Sequence, residues 1–141
     1  MRIGGGALAD RLGGERTALL AYGTLAAGAL LMTLSHTFGL SLAAEIIMAV
    51  GTGVANAAVF KLVPKEVPQA VGGASGWVGG LGAFGGFAIP PVLGAFVRSL
   101  GQAGYATGFV TYVLLGLLSL ALASALGRSH GRSVAALAAG R

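Results

Sequence analysis

Four long stretches without a formal charge constrain this 141-residue chain more than any other feature. Residues 17–44 (28 positions, His36 counted neutral), 46–60 (15), 67–97 (31) and 99–127 (29) hold no Asp, Glu, Lys or Arg. A helix needs about 20 predominantly apolar residues to cross a bilayer. The pattern therefore predicts four transmembrane helices, at about 17–34, 42–60, 71–97 and 105–126. Composition agrees, with 9% charged and 55% hydrophobic residues, where a soluble domain carries about 25% charged residues. Segments 26–31 and 113–122 do not alternate apolar and polar residues, as the strands of a membrane barrel do. The expected class is an all-α polytopic membrane protein. Pro90 and Pro91 fall inside the third span and predict a kink or a break, because proline removes a backbone donor.

The charges that remain carry topological information. With four spans, the N-terminal segment, the 61–70 loop and the 128–141 tail share one side. Arg2, Arg11, Arg16, Lys61, Lys65, Arg128, Arg132 and Arg141 lie there, and Arg98 and His36 lie on the other. Basic residues accumulate on the cytoplasmic side of membrane proteins, so both ends are expected in the cytoplasm. Scattered in this way, the basic residues form no stripe for nucleic acid. The chain has no cysteine, which excludes disulfides and thiolate metal sites. His36 and His130 are too far apart in sequence to suggest a metal site, and no cofactor is expected. No nucleophile–base pair or paired carboxylates can be traced, so an enzyme is not expected. Residues 1–16 lack the apolar core of a cleavable signal peptide.

Residues 72–86 hold eight glycines in fifteen positions, and Gly80 to Gly85 satisfies G-x-G-x-x-G. A dinucleotide fingerprint also needs a preceding strand and an acidic residue about 20 positions later. No Asp or Glu follows Glu66, so that reading fails. Placed on a helix, Gly72, Gly76, Gly79, Ala83, Gly86 and Pro90 form one bare stripe, which lets another backbone approach closely in lipid. Two uses stay open: a packing surface, or the lining of a small substrate's path. Trp77, Val78, Leu81, Phe84, Phe87 and Ile89 interrupt the glycines, which argues against a flexible linker.

Other candidates are fewer. Asp10, Arg11 and Arg16 sit in a charged loop spanning residues 6–16. There Asp10 is placed near the positive end of the following helix, with the arginines positioned to pair with it or with helix carbonyls. Glu45 is the one charge well inside the hydrophobic pattern, a functional candidate by default; its nearness to the non-cytoplasmic interface favours an interfacial or structural role. Asn56 follows the small residues 51–55 and needs hydrogen-bond partners; an interhelical bond is preferred to substrate contact. Residues 61–68, with two prolines, read as a stiff cytoplasmic connector.

The stretch Gly6-x-Leu8-Ala9-Asp10-Arg11-x-Gly13 resembles the signature loop of the major facilitator superfamily. More specifically, residues 56–68 followed by Gly79-Gly80-Leu81-Gly82-Ala83-Phe84-Gly85-Gly86-Phe87-x-x-Pro90 are similar to helices ten and eleven of the nitrate/nitrite porter family. The resemblance implies a partial major facilitator fold in an inner membrane. Residues 1–9 would match the end of helix eight, and the four spans would match helices nine to twelve. It implies a C-terminal portion of a nitrate or nitrite transporter working by alternating access, inactive by itself. The anion would sit at the midplane between two pseudo-symmetric halves, its charge balanced by arginines on helices two and eight, neither assignable here. Gly79, Gly80, Gly82, Gly85 and Gly86 would line the substrate path, with Gly76 and Asn56 beside them, and Asp10, Arg11 and Arg16 would form a gating loop. Two alternatives remain: another small-solute porter of the superfamily, or a small membrane scaffold assembling through the glycine stripe.

Overall fold

Gly13 interrupts the first helical run of the chain, and its backbone shows why it is glycine. In a computed structural model, which describes residues 2–139 and the side chains of residues 4–128, its φ is 85°. That region is open to glycine and strained for side-chain-bearing residues. Helix α1 (Arg2–Leu12) ends just before it and α2 (Gly14–Thr33) begins just after. Thr17 returns its hydroxyl proton to the Gly13 carbonyl at 2.8 Å. The charged stretch expected as an open loop is therefore helical except at this one residue. Asp10 and Arg11 sit on the last turn of α1, and Arg16 on the first turn of α2.

The chain reverses through residues 34–37 into α3 (Phe38–Glu66). The Thr37 side chain caps it by accepting from the Leu40 amide at 3.4 Å, the usual way of satisfying an orphan donor in the first turn. Helix α3 starts earlier and ends later than the hydrophobic pattern implied. At 1.5 Å per residue its 29 residues reach about 43 Å, longer than a hydrocarbon core of about 30 Å. Lys61, Pro64 and Lys65 therefore continue the helix, and the connector shrinks to residues 67–70. Helix α4 (Val71–Leu100) contains Pro90 and Pro91 without a break. A tight corner at Gly101, φ 62°, leads to the short α5 (Ala103–Thr107) and then α6 (Val110–Ala139). All six elements among the described residues are helices. The C-terminal Arg141 lies outside them, and the side chains of His130 and Arg132 are not among those described.

Small residues make the helix crossings. A Cβ placed on Gly28 of α2 would stand 2.8 Å from the Met48 amide nitrogen of α3. One placed on Gly51 of α3 would stand 2.7 Å from the Leu25 nitrogen of α2. The two backbones thus cross with no room for side chains between them. Gly116 of α6 lies against Ala26, and Gly5 of α1 against Val54 and Ala57. Ala29, Met32, Ala44 and Met48 form the buried cluster, flanked by Phe109, Tyr112 and Val113. Helix α2 is the hub, packed on α3 and α6 and touching α1 and α5.

Three segments are long and apolar enough to cross a membrane: Phe38–Glu66, Val71–Leu100 and Ala103–Arg128. The expected fourth, on α2, is not among them. Glu15 and Arg16 open that helix, and Thr17, Tyr22 and Thr24 dilute its apolar content. Its threonines return their hydroxyl protons to carbonyls four residues back: Thr24 to Leu20 at 2.9 Å and Thr33 to Ala29 at 2.9 Å. Helix α4 differs from the rest, for it has no buried residue and packs mainly on α5 and the edge of α3.

This packing predicts the effect of a side chain at the α2–α3 crossing. Gly51→Leu should destabilise the chain by about 1–3 kcal/mol through overpacking, whereas Gly80→Leu on α4 should change stability by less than about 0.5 kcal/mol. Denaturation in mixed micelles, followed by helix content, measures both; equal losses would contradict the crossing geometry.

Candidate functional site

Two places gather the residues singled out in the sequence. The first is the junction around Gly13. Lys61 and Lys65 are four residues apart, one helical turn, and so share a face of α3. Opposite them stand Asp10, just before Gly13, and Glu15, just after it. Lys61 pairs with Asp10, and Lys65 Nζ lies 3.2 Å from Glu15 Oε1. Two ion pairs therefore fasten the α1–α2 junction to the end of α3. Asp10 lies at the negative C-terminal end of α1 instead of the positive end of a following helix, and its partner is Lys61 rather than an arginine. Arg11 faces the favourable end of the α1 dipole, and Arg16 is exposed on α2. Glu15 likewise suits the first turn of α2.

The lysines had been assigned to a connector, so their role here was missed. Sequence spacing held a partial signal, four between the lysines and five between the acids. Matching the two needs the antiparallel packing of α2 on α3. Asp10 and Lys65 keep 72% and 62% of their side-chain surface exposed, which places each pair in the range of about 0–1 kcal/mol. The clasp sets geometry more than stability.

The second place is α4. At its start a cavity of about 400 Å³ opens between α2, α3, α4 and α6, lined in part by Ala74, Val78, Tyr22, Val63, Ser119 and Leu122. Ala74 and Val78 thus mark the side of α4 turned toward the bundle. Gly76 is two residues from each, about 200° around the helix, and so faces away. Gly72, Gly79 and Gly86 share that outward side by helical spacing, and Gly80 lies beside it. Gly82 and Gly85 fall four and seven residues beyond Val78, on the bundle side. The expected path residues are thus divided between two faces. A Cβ on any of the six candidate glycines of α4 would meet no atom within 4 Å. The bulky residues are uncovered as well, with Trp77 73% and Phe87 76% exposed. Asn56 is exposed on α3, outside the cavity lining, and Glu45 is exposed in the second turn of α3. Among the described residues no group of acidic, histidine or cysteine side chains could hold a metal ion.

The ends of the bundle separate the charges. Gly127 of α6 lies near Glu15, 3.5 Å from Oε2 to a Cβ position, so α6 passes the clasp there before running on to Ala139. Arg11, Arg16, Lys61, Lys65 and Arg128 therefore gather at one end. Arg98 lies near the far end of α4, about 40 Å along a helix of 30 residues.

No family model and no solved structure matches the chain. Known proteins do. It is similar to the nitrite extrusion protein of Bacillus subtilis, 34% identical over 122 residues, covering 86% of this chain and 30% of that protein. The probable nitrate/nitrite antiporter NarK1 of Thermus thermophilus is 35% identical, covering 81% of this chain and 30% of its own length. The probable nitrate transporter NarT of Staphylococcus epidermidis is 27% identical over 85% of this chain. The chain spans about 30% of the length of the curated relatives it matches.

A double-mutant cycle on Asp10→Asn and Lys61→Gln should give a coupling of about 0.2–1 kcal/mol that shrinks between 50 mM and 500 mM salt. A coupling that is absent at low salt, or insensitive to salt, would show that the two side chains do not form an exposed ion pair.

Proposed function

We propose that this chain, a homologue of the nitrate/nitrite porters over most of its length, acts as one part of a transporter that moves nitrate or nitrite by alternating access. The observation that carries the reading is α4. A 30-residue apolar helix with no buried residue turns a bare glycine face away from its own bundle. Such a face suits close approach of further helices across a narrow substrate path. The match to 30% of each relative supports the same reading, since the rest of a porter would supply those helices. On this reading the chain is a transporter component and not an enzyme.

We further assign α2 as a fourth span. It lies between α3 and α6, two helices long enough to cross, and its 20 residues reach about 30 Å. It packs on both of these helices and leaves Leu20, Ala27 and Leu30 exposed, so only part of its surface need be apolar enough for lipid. With four spans, the end holding the clasp and most of the basic residues is cytoplasmic by the positive-inside rule. The clasp and the α3–α4 connector then face the cytoplasm of a plasma membrane, whereas α1 runs from the clasp back along α3, with Gly5 resting against Val54 and Ala57. The clasp belongs to the gating region, holding α1, α2 and α3 as one rigid unit that moves against the other half.

The absence of cysteine makes the topology directly measurable. Gln102→Cys should react with an impermeant maleimide on intact cells, and Gln69→Cys only after permeabilisation; labelling of both from one side would exclude an odd separation of these loops.

Transport itself is tested by exchange of segments. Replacing the matching part of the Bacillus subtilis relative with this chain should preserve nitrite export, and Gly86→Leu in that chimera should lower it at least tenfold without lowering its membrane level. The 141-residue chain alone should take up no labelled nitrate above empty vesicles. A folded but inactive chimera, or uptake by the chain alone, would refute the assignment.

A further inference from the structure

At the end of the bundle opposite the clasp, a cleft of about 330 Å³ lies between the α2–α3 turn and the α5–α6 corner. Unlike the glycine face of α4, it is walled entirely by elements that pack on one another within this chain. Met32, Ala106 and Phe109 form its apolar back, and Ser35, His36, Thr37, Ser41, Gln102 and Tyr105 supply its polar atoms. The serines are already committed. Ser41 Oγ donates to Ser35 Oγ at 2.9 Å, and Ser35 Oγ donates to the Met32 carbonyl at 2.7 Å. Their role is to hold the turn in shape. His36, Gln102 and Tyr105 are exposed around the opening, free to present an imidazole N–H, an amide NH₂ and a phenolic O–H to one space.

No carboxylate lines the cleft, so nothing there compensates a bound cation, whereas three kinds of donor converge for an acceptor. Its volume is roughly ten times the share of one water in the liquid, about 30 Å³, which leaves room for a small oxyanion with part of its hydration. We propose that this cleft, at the end of the bundle opposite the clasp, binds a small oxyanion through His36, Gln102 and Tyr105. The site is distinct from the path along α4 and does not rest on the transport reading. The chemistry is shared by two sources, a free oxyanion in solution and the phosphate of a lipid headgroup.

The test is binding, measured without transport. The full chain in dodecyl maltoside micelles is titrated separately with sodium nitrate, inorganic phosphate and short-chain phosphatidylglycerol, with chloride holding the ionic strength. The imidazole signals of His36 and His130 are followed by NMR. A saturable shift of His36 alone is expected. It should need at least tenfold more ligand in Gln102→Ala/Tyr105→Phe and disappear in Gln102→Glu, which keeps the size and adds a repelling charge. Saturation by nitrate or phosphate identifies a free oxyanion, and saturation by the lipid alone identifies a headgroup; both support the site. A linear shift, a shift common to both histidines, or one unchanged in helical, folded variants overturns it. Because nitrate uptake is not the readout, failure here leaves the chimera experiment intact, and the reverse holds as well.

Discussion

Close backbone approach is the interaction on which the rest of this bundle depends. Lipid tails are as apolar as leucine, so burying a side chain between two membrane helices gains little that lipid would not also give. Association then rests on packing, and packing improves as helix axes come nearer. Gly28 and Gly51 bring α2 and α3 together at the level of backbone nitrogen and carbonyl atoms. That explains a buried set made largely of alanines, Ala18, Ala21, Ala29, Ala44 and Ala58 among them, with Met32 and Met48 filling what is left. Once α2 and α3 are fixed, the other contacts follow: α1 on Val54 and Ala57, and α6 on Ala26.

The same rule makes α4 anomalous, since its glycines satisfy the compositional requirement for close packing and meet nothing within the chain. Glycine in a helix interior costs about 1 kcal/mol relative to alanine in water, so eight within fifteen positions call for a compensating contact. The crossings of α2, α3 and α6 show what such a contact looks like. Facing away from those helices, the stripe leaves the same kind of backbone surface uncovered within the chain.

The broad outline was legible because membrane physics leaves few choices. Uncharged stretches located α3, α4 and the α5–α6 segment, and the turn between α2 and α3 falls at the gap between the first two expected spans. Helix ends were not legible. Hydropathy marks where a chain enters lipid, and α3 continues past that point through Lys61, Pro64 and Lys65 because its hydrogen bonds do not depend on lipid. The stretch around Asp10 read as a loop for the same reason, charge being taken for irregularity, while only Gly13 leaves helical geometry. The two ion pairs join residues 51 and 50 positions apart, a distance over which one sequence carries no pairing signal. The glycine stripe was visible as a face, but its division into outward and bundle sides required knowing that Ala74 and Val78 point inward.

An anion in a low-dielectric path must be matched by opposite charge, because burying it unpaired costs far more than packing can return. Residues 67–97 carry no formal charge, so on α4 only Arg98, in its last turn, carries a charge of the required sign. On the transport reading, what it would contribute is shape: a helix surface stripped of side chains, along which a small planar anion and a neighbouring backbone could both come close. Lys61 and Lys65 are committed to Asp10 and Glu15, and Arg98 lies near the other end of α4. On the transport reading proposed above, a division of labour follows, in which this chain would shape the passage while the clasp holds one end of it together. On that reading, the balancing charge along the uncharged length of α4 would come from helices packed against its outward face.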